Sequence, residues 1–270
     1  MCQSAVVERR PLAPDSLVPA ASGPYIAAVT AEVSATPLQA DLIAMLSASR
    51  QAERDLFAAL PAELRDRPAT IGEWSAKDVL AHLGAWRSVE ARRIAAARNG
   101  EPNPPEDPEL GAPVDESNRL LHEDFAGASW EEVELRADES VDALVGEMWI
   151  SSSVILCDCQ DDIVGIGANS TNHATAHLSD IARLAGKMDR YRAYGLEIER
   201  VLAGGHLPPR DSSVLLYNMA CHFSLADDVD DARRLLRIAF RLRPDLVETA
   251  TEDPDLTPLR DAIPSLAAAG

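Results

Sequence analysis

The chain has 270 residues, of which 44 are Asp or Glu and 25 are Lys or Arg, so its formal net charge is −19. Hydrophobic residues make up 46% of the sequence, which is typical of a folded globular protein and excludes wholesale disorder. The acidic balance excludes a protein that coats nucleic acid or an anionic membrane, because both surfaces attract clustered positive charge. Four cysteines are too few for a disulfide scaffold.

The sequence shows neither a membrane-spanning run nor a secretion signal. No apolar stretch approaches the roughly 18 residues that a membrane helix needs. Arg9 and Arg10 follow the first short apolar stretch, whereas the charged region of a signal peptide precedes it. We therefore expect a cytoplasmic protein. Residues 1–36 mix Pro, Ser and Ala without periodicity and are predicted to be a poorly ordered extension.

Amphipathic helices are predicted from residue 37 onwards. Apolar residues recur at helical spacing from Leu38 to Leu60, which predicts a helix of about six turns. Ser75 is a suitable N-cap for a second helix, and Asn99 and Gly100 form a typical C-terminal signal for it.

Two further helices complete the first part of the chain. The third is predicted in two pieces, residues 114–125 and 130–148, with Ser129 as the N-cap of the second piece. The fourth covers residues 162–187, and the intervening stretch 149–160 is compatible with either a β-strand or an irregular connection. Four long helices joined by connections of different lengths predict a four-helix bundle.

Three of the six histidines occupy notable positions. His173 and His177 are four residues apart, so both imidazoles lie on one face of the last bundle helix. His82 lies between Leu80 and Leu83, which places it on an inward face as well. Three histidine ligands leave a coordination position open, as in catalytic metal sites. The alternative is a set of surface or core histidines, since the spacing of two histidines alone is weak evidence.

Short motifs around these histidines resemble the DinB-like superfamily. The segment Gly72–Leu83 (GEWSAKDVLAHL) is similar to the second-helix signature of that superfamily. Asn172 and His173, together with His177, are similar to its last-helix signature. The resemblance covers about residues 37–188. Three further runs resemble one branch, the DfsB group, which includes the colibactin self-resistance protein: AWR at 85–87, NGEP at 99–102 and WEEV at 130–133.

The resemblance implies a four-helix bundle that holds a divalent metal on His82, His173 and His177. Neutral imidazoles favour Zn, Ni or Fe, among which the sequence does not choose. Relatives include mycothiol-dependent maleylpyruvate isomerase and bacillithiol or mycothiol S-transferases, which implies a low-molecular-weight thiol such as mycothiol as a second cofactor. The metal would then act as a Lewis acid that activates a water or a thiol. The segment 149–166 departs from the family pattern.

Several residues near the predicted site have two interpretations. Asn172 and Trp74 would shape the mouth of a pocket, although a Trp at a helix start is more often core packing. Glu90 and Asp180 would support the metal ligands, but a solvated helix face is the favoured interpretation for each. The CDC run at 157–159 would bind a soft metal or exchange disulfides, yet one buried and one exposed thiol is the simpler interpretation.

Residues 189–270 resemble a tetratricopeptide (TPR) unit. The TPR repeat has roughly 34 residues and ends in a proline, which we align with Pro244. The repeat then requires small residues where its two helices cross closely, and bulky residues at other fixed positions. One repeat cannot bury its own face, so the module either docks on the bundle or binds a partner, two interpretations of equal weight. The six template positions all fit: Leu216, Ala220, Phe223, Ala232, Leu236 and Ala239.

The sequence therefore predicts an all-α protein with a DinB-like bundle followed by a TPR-like module. The leading functional hypothesis is a metal-dependent enzyme that transfers a thiol to, or hydrolyses, small reactive molecules in detoxification or self-resistance. The rival hypothesis is a non-catalytic protein that sequesters a metabolite or recruits a protein through the TPR-like module. A small-molecule substrate and a homodimer are compatible with the sequence. His122, His206, His222 and Cys221 are given no role in the site.

Overall fold

The computed structural model describes residues 35–67, 74–101, 114–158 and 164–268. Within these ranges 83% of the residues are helical and none lies in a strand, which confirms the all-α prediction. Residues 1–34 of the predicted extension lie outside the described part, as do Gly72, Glu73, Pro102 and Cys159 of the sequence motifs. No helix in the described part is both long and apolar enough to cross a membrane.

Twelve α-helices occupy the described ranges, and a 3-10 segment at Pro254–Ala262 lies between the last two. The helices are α1 (Pro37–Ala58), α2 (Ala62–Arg65), α3 (Ala76–Asn99), α4 (Val114–Phe125), α5 (Trp130–Ile150), α6 (Ser153–Leu156), α7 (Ile166–Ala185), α8 (Met188–Leu202), α9 (Pro209–Leu225), α10 (Val229–Leu242), α11 (Leu246–Glu252) and α12 (Ile263–Ala268).

Local side-chain chemistry sets helix ends at the predicted places. Ser75 and Ser129 each accept a hydrogen bond from the backbone N–H three residues further on. The side chains of Asp78 and Glu132 bond back to the two caps, which completes a capping box at each helix start. Gly100 ends α3 in the left-handed conformation, with a φ of 69°, which residues with a side chain rarely adopt.

Helices α1, α3, α5 and α7 pack side by side in a closed ring. Both α1 and α3 contact α5 and α7, so each helix has two neighbours from the set. This arrangement is a four-helix bundle. Helices α3 and α5 approach closely at Gly84, where a Cβ atom would lie 3.3 Å from the Cα atom of Ala137. Apolar side chains fill the interior, among them Leu46, Leu83, Leu144 and Leu178.

The connection after α5 rules out the first of its two predicted forms, a β-strand, within the described residues. Helix α5 continues to Ile150 and is followed by the short helix α6, so the described part of 149–160 contains no strand. Helix α7 begins at Ile166, later than the predicted start at residue 162. Gln39 of α1 satisfies carbonyl groups that the end of α5 leaves open. Its Nε2 atom donates, over 2.9–3.1 Å, to the carbonyls of Met148, Trp149 and Ser151.

The C-terminal helices pack directly on the bundle. Helix α8 lies against α1, α9 lies against α7, and α9 and α10 form an antiparallel pair. Asp227 adopts a left-handed conformation, with a φ of 60°, in the turn between them. Buried residues of both parts belong to one hydrophobic core. The division at residue 188 and the TPR assignment stay predictions. All six template positions are buried: Leu216, Ala220, Phe223, Ala232, Leu236 and Ala239.

Candidate metal centre

The three predicted histidines converge inside the bundle. His82 projects from α3, and His173 and His177 project one turn apart from α7. The Nε2 atom of His173 lies 2.9 Å from that of His82 and 3.1 Å from that of His177. One nitrogen from each ring lies within 4.8 Å of the others. His82 is buried, whereas His173 and His177 are partly exposed.

The spacing of these nitrogens suits a shared metal ion. Two nitrogens that each lie about 2.0–2.1 Å from one ion are roughly 2.9–3.4 Å apart at bond angles of about 90–110°. Direct hydrogen bonds among the rings are less favourable, because a ring nitrogen carries either one proton or one lone pair. His173 Nε2 cannot donate to one neighbour while it accepts from the other. A cation, by contrast, accepts the lone pairs of all three rings.

Desolvation keeps the three imidazoles neutral. It lowers the pKa of His82 to about 3, with a further contribution from His177. It also holds the pKa of His173 well below the ordinary value for histidine, and it lowers the pKa of His177. A metal ligand must offer a lone pair, so histidines that are neutral at physiological pH are ready to bind.

Two tryptophans flank His82. The Trp74 ring meets His82 edge-on at a centroid distance of 4.7 Å, and the Trp86 ring lies 6.2 Å from His82. Helix α4 rests on both tryptophans. Trp86 Nε1 donates to Asn118 Oδ1 over 3.2 Å, and the His122 ring stacks on Trp74 at 6.1 Å. Trp74 therefore borders the site, and His122, to which the sequence assigns no role, lies directly behind it.

Glu90 is buried, so the expectation of a solvated helix face is wrong for this residue. Its side chain is 2% exposed. The Oε1 atom accepts from Asn169 Nδ2 over 2.9 Å and from Arg93 over 2.8 Å. Asn169 precedes His173 by one turn of α7, on the same face. The Glu90 carboxylate thus links α3 to α7 one turn away from the triad.

Two other α7 residues act next to the histidines. Asn172 Oδ1 accepts from Asn218 Nδ2 of α9 over 2.8 Å, which ties the C-terminal helix pair to the turn that carries His173. Asp180 is partly buried, and its charge raises the pKa of His177 against the larger effect of desolvation. Asp180 is therefore an electrostatic neighbour of the triad.

A buried charge cluster that sequence analysis missed lies between α1 and α3. The carboxylate of Glu53 accepts from Arg87 and, over 3.1 Å, from Arg50. Arg50 also donates to Asp138 of α5 over 2.7 Å. Desolvation, with a contribution from Arg50, lowers the pKa of Arg87 to about 9, and the charge of Arg87 helps to lower the pKa of His173. The sequence indicates this cluster only through charged residues on the otherwise apolar faces of α1 and α3.

A second group of potential ligands consists of Cys221, Asp253 and Asp255. Desolvation raises the pKa of the Cys221 thiol, and both aspartates raise it further, so the thiol keeps its proton. A metal ion at this group would have to displace that proton, because the ligand is the thiolate. Asp253 Oδ2 already accepts from the Tyr217 hydroxyl over 2.7 Å. This group therefore ties the C-terminal tail to α9.

The remaining residues that sequence analysis singled out lie outside the triad. Cys157 is partly exposed at the end of α6, and the role of the CDC run stays a prediction because Cys159 is not described. His206 pairs with Asp41 over 2.8 Å. His222 of α9 is partly exposed, and desolvation lowers its pKa to about 4, with Arg183 and His177 acting in the same direction.

Comparisons with family models, curated proteins and solved structures give no match for this chain. The likeness to DinB-like proteins thus stays a resemblance that short motifs carry. The geometry of the histidine triad is independent of that resemblance.

Proposed function

We propose that the protein is a metal-dependent enzyme whose divalent ion is held by His82, His173 and His177. The observation that carries this proposal is the distance of the His173 Nε2 atom from its two neighbours, 2.9 Å to that of His82 and 3.1 Å to that of His177, with one nitrogen of each ring within 4.8 Å of the others. Three neutral ligands leave the full charge of the ion in place and leave coordination positions open to substrate. Structural zinc sites, by comparison, close the coordination shell with four protein ligands.

When bound, a divalent ion would supply Lewis-acid activation of a water or a thiol. The chain's own residues prepare the site for that chemistry. Trp74 and Trp86 shield His82 from bulk solvent, which strengthens electrostatic interactions around it. The hydrogen bond between Glu90 and Asn169 keeps α3 and α7 in the register that faces His82 toward the other two histidines.

For the reaction, we propose thiol transfer to, or hydrolysis of, a small reactive molecule in detoxification or self-resistance. The support is the motif resemblance to DinB-like proteins at Gly72–Leu83 and around His173. A low-molecular-weight thiol such as mycothiol is the proposed co-substrate for the transfer. Zn, Ni and Fe are the ions that a set of three imidazoles favours.

Metal content tests the first part of the proposal. Elemental analysis of untagged protein should find about one Zn, Ni or Fe ion per chain, as one triad requires. His173→Ala should lose the ion, whereas His206→Ala, which removes a surface histidine paired with Asp41, should keep it. Wild-type protein that stays metal-free after incubation with each of the three ions would show that the triad is not a metal site.

Activity separates an enzyme from a protein that only sequesters its ligand. The metal-loaded protein should hydrolyse 4-nitrophenyl acetate, or should speed the conjugation of monochlorobimane with mycothiol. His173→Ala should abolish the faster of these reactions. Equal rates in the wild type and in His173→Ala would contradict catalysis at the triad and would favour the non-catalytic alternative.

A further inference from the structure

A narrow crevice lies between α3 and α4, next to His82. Its polar lining comes from Asp78, His82 and His122, and its apolar walls include Trp74, Leu121 and Phe125. The free space is that of about one water molecule. A water molecule is stable in such a space when it has two to four polar partners, and three are present here.

His82 has a buried ring nitrogen that needs a partner. Its Nε2 atom faces His173. Its Nδ1 atom is buried and makes no hydrogen bond to any described residue. A histidine that binds metal through one nitrogen nearly always donates the N–H of the other nitrogen to a carboxylate, a carbonyl or a water. The side chain of His82 therefore lacks the acceptor that its proposed role requires.

Asp78 supplies a carboxylate oxygen at the same crevice. It precedes His82 by one helical turn, so both side chains lie on one face of α3. Asp78 Oδ2 caps the helix, since it accepts from the backbone N–H of Ser75 over 2.9 Å and from its hydroxyl over 2.6 Å. Oδ1 lies 3.4 Å from His122 Nε2, which is too long for a strong hydrogen bond. Both of these atoms can bond to a water.

We propose that one buried water molecule in this crevice accepts the Nδ1–H of His82 and donates to Asp78 Oδ1, with His122 as its third partner. Asp78 and His122 are then positioning residues for His82. They hold its proton on Nδ1, which leaves the lone pair on Nε2 directed at the point between the three histidines. The hydrogen-bond chain needs no metal, but its effect on metal affinity rests on the proposed function.

The tautomer of His82 tests the inference in metal-free protein. Long-range proton–nitrogen NMR spectra near neutral pH, assigned with His82→Gln, should show the proton of His82 on Nδ1. That proton should also show cross-relaxation with a bound water. Leu121→Phe, which fills the crevice, should remove the water signal while the circular dichroism spectrum stays that of the wild type. A wild-type His82 with its proton on Nε2, or without the water signal, would overturn the inference.

Metal affinity gives a second test. His122→Ala should weaken Zn binding about tenfold in a chelator competition, as changes next to metal ligands commonly do. His122→Gln, which keeps a hydrogen-bonding group, should recover part of that loss. The matched control is His206→Ala, which removes a surface histidine of similar exposure (46% against 42%) that is also paired with an aspartate. It should leave the affinity unchanged.

The two tests separate failure of this inference from failure of the proposed function. Zn binding that His122→Ala leaves at the wild-type strength would overturn the inference and keep the metal site. Wild-type protein that binds no metal would overturn the proposed function, and the tautomer of His82 would then decide the inference alone.

Discussion

His82 and His173 are 91 residues apart in the chain, yet their Nε2 atoms lie 2.9 Å apart. The two side chains meet because α3 and α7 are neighbours in the bundle, and because their register places both histidines at the same height. The Glu90–Asn169 hydrogen bond, one turn along α7, helps to hold that register. The chemistry of the triad therefore depends on the packing of the bundle.

Metal-free protein should lose stability as the pH falls below about 6.5. The pKa of His82 is about 3 in the fold against an ordinary value of 6.5, so between these values the unfolded chain binds a proton that the folded chain does not. Stability therefore rises with pH across this window and levels off above it, with a slope of up to about 1.4 kcal/mol per pH unit for each such histidine.

Urea unfolding in EDTA at a series of pH values measures this slope. His82→Gln should reduce the slope by up to about 1.4 kcal/mol per pH unit, while the other histidines and the carboxylates contribute equally to both proteins. Identical slopes for the two proteins would mean that His82 is not held neutral in the fold.

Removal of the Glu53 carboxylate should destabilise the fold strongly. Glu53 and Arg87 have side chains that are 0% and 1% exposed, so Glu53→Ala leaves the charge of Arg87 buried without its partner. We expect a loss of about 3–5 kcal/mol in the free energy of unfolding. The double variant Glu53→Leu with Arg87→Met should recover most of it, since it removes both charges. Urea unfolding provides the measurement.

A matched control for the buried pair lies on α4. Arg119 and Glu123 form an exposed ion pair, with side chains that are 50% and 60% exposed. Glu123→Ala should change the free energy of unfolding by less than about 1 kcal/mol. If Glu53→Ala had no larger effect than this control, the buried pair would not contribute to stability as proposed.

Two glycine-to-alanine changes should shift stability in opposite directions. A Cβ atom at Gly165 would lie 2.7 Å from the carbonyl oxygen of Leu156 and 2.9 Å from the Cα atom of Cys157, and these backbone atoms cannot turn aside. Gly165→Ala should therefore cost about 1–3 kcal/mol. Gly146 lies within α5 and has no atom within 4 Å of such a Cβ, so Gly146→Ala should gain about 0.5–1 kcal/mol. Thermal unfolding of both variants distinguishes them, and a gain for Gly165→Ala would contradict the close contact.

The two described cysteines should differ in their reactivity toward iodoacetamide. Cys221 is 5% exposed and the pKa of its thiol is raised, whereas Cys157 is partly exposed. The thiolate is the reactive form, so Cys157 should be alkylated in the native protein and Cys221 only after unfolding in urea. Peptide mass spectrometry of the two cysteines follows both reactions. Native alkylation of Cys221 as fast as that of Cys157 would contradict the environment described for it.

The helices of this protein are predictable from the sequence because their signals are local. The capping boxes at Ser75 and Ser129 and the glycine at the end of α3 involve only neighbouring residues. The spacing of His173 and His177 likewise needs only the geometry of one helix. Fold class, most helix boundaries and the identity of the three inward histidines follow from such signals. The strand alternative for 149–160 is wrong within the described residues, because α5 continues to Ile150 and α6 follows it. Gln39, more than a hundred residues away, bonds to the end of α5, and such a contact has no local signal.

The surroundings of the triad depend on contacts between helices, which periodicity does not describe. A repeating pattern shows which face of a helix is buried, but not which partner that face meets. The sequence is compatible with a solvated face for Glu90 and Asp180. In the fold, Glu90 is buried and bonds to Asn169 of α7, and Asp180 is partly buried. The same holds for His122, whose role depends on where α4 lies against α3.

The composition shows an acidic chain, and the periodicity and capping residues of the sequence predict its helices and the inward faces of three histidines. Packing of the helices brings these three histidines together, buries an ion pair between α1 and α3, and leaves a water-sized crevice next to His82. The physical reason is that hydrogen bonds and ligand sets between distant segments form only when packing has fixed the register of the helices.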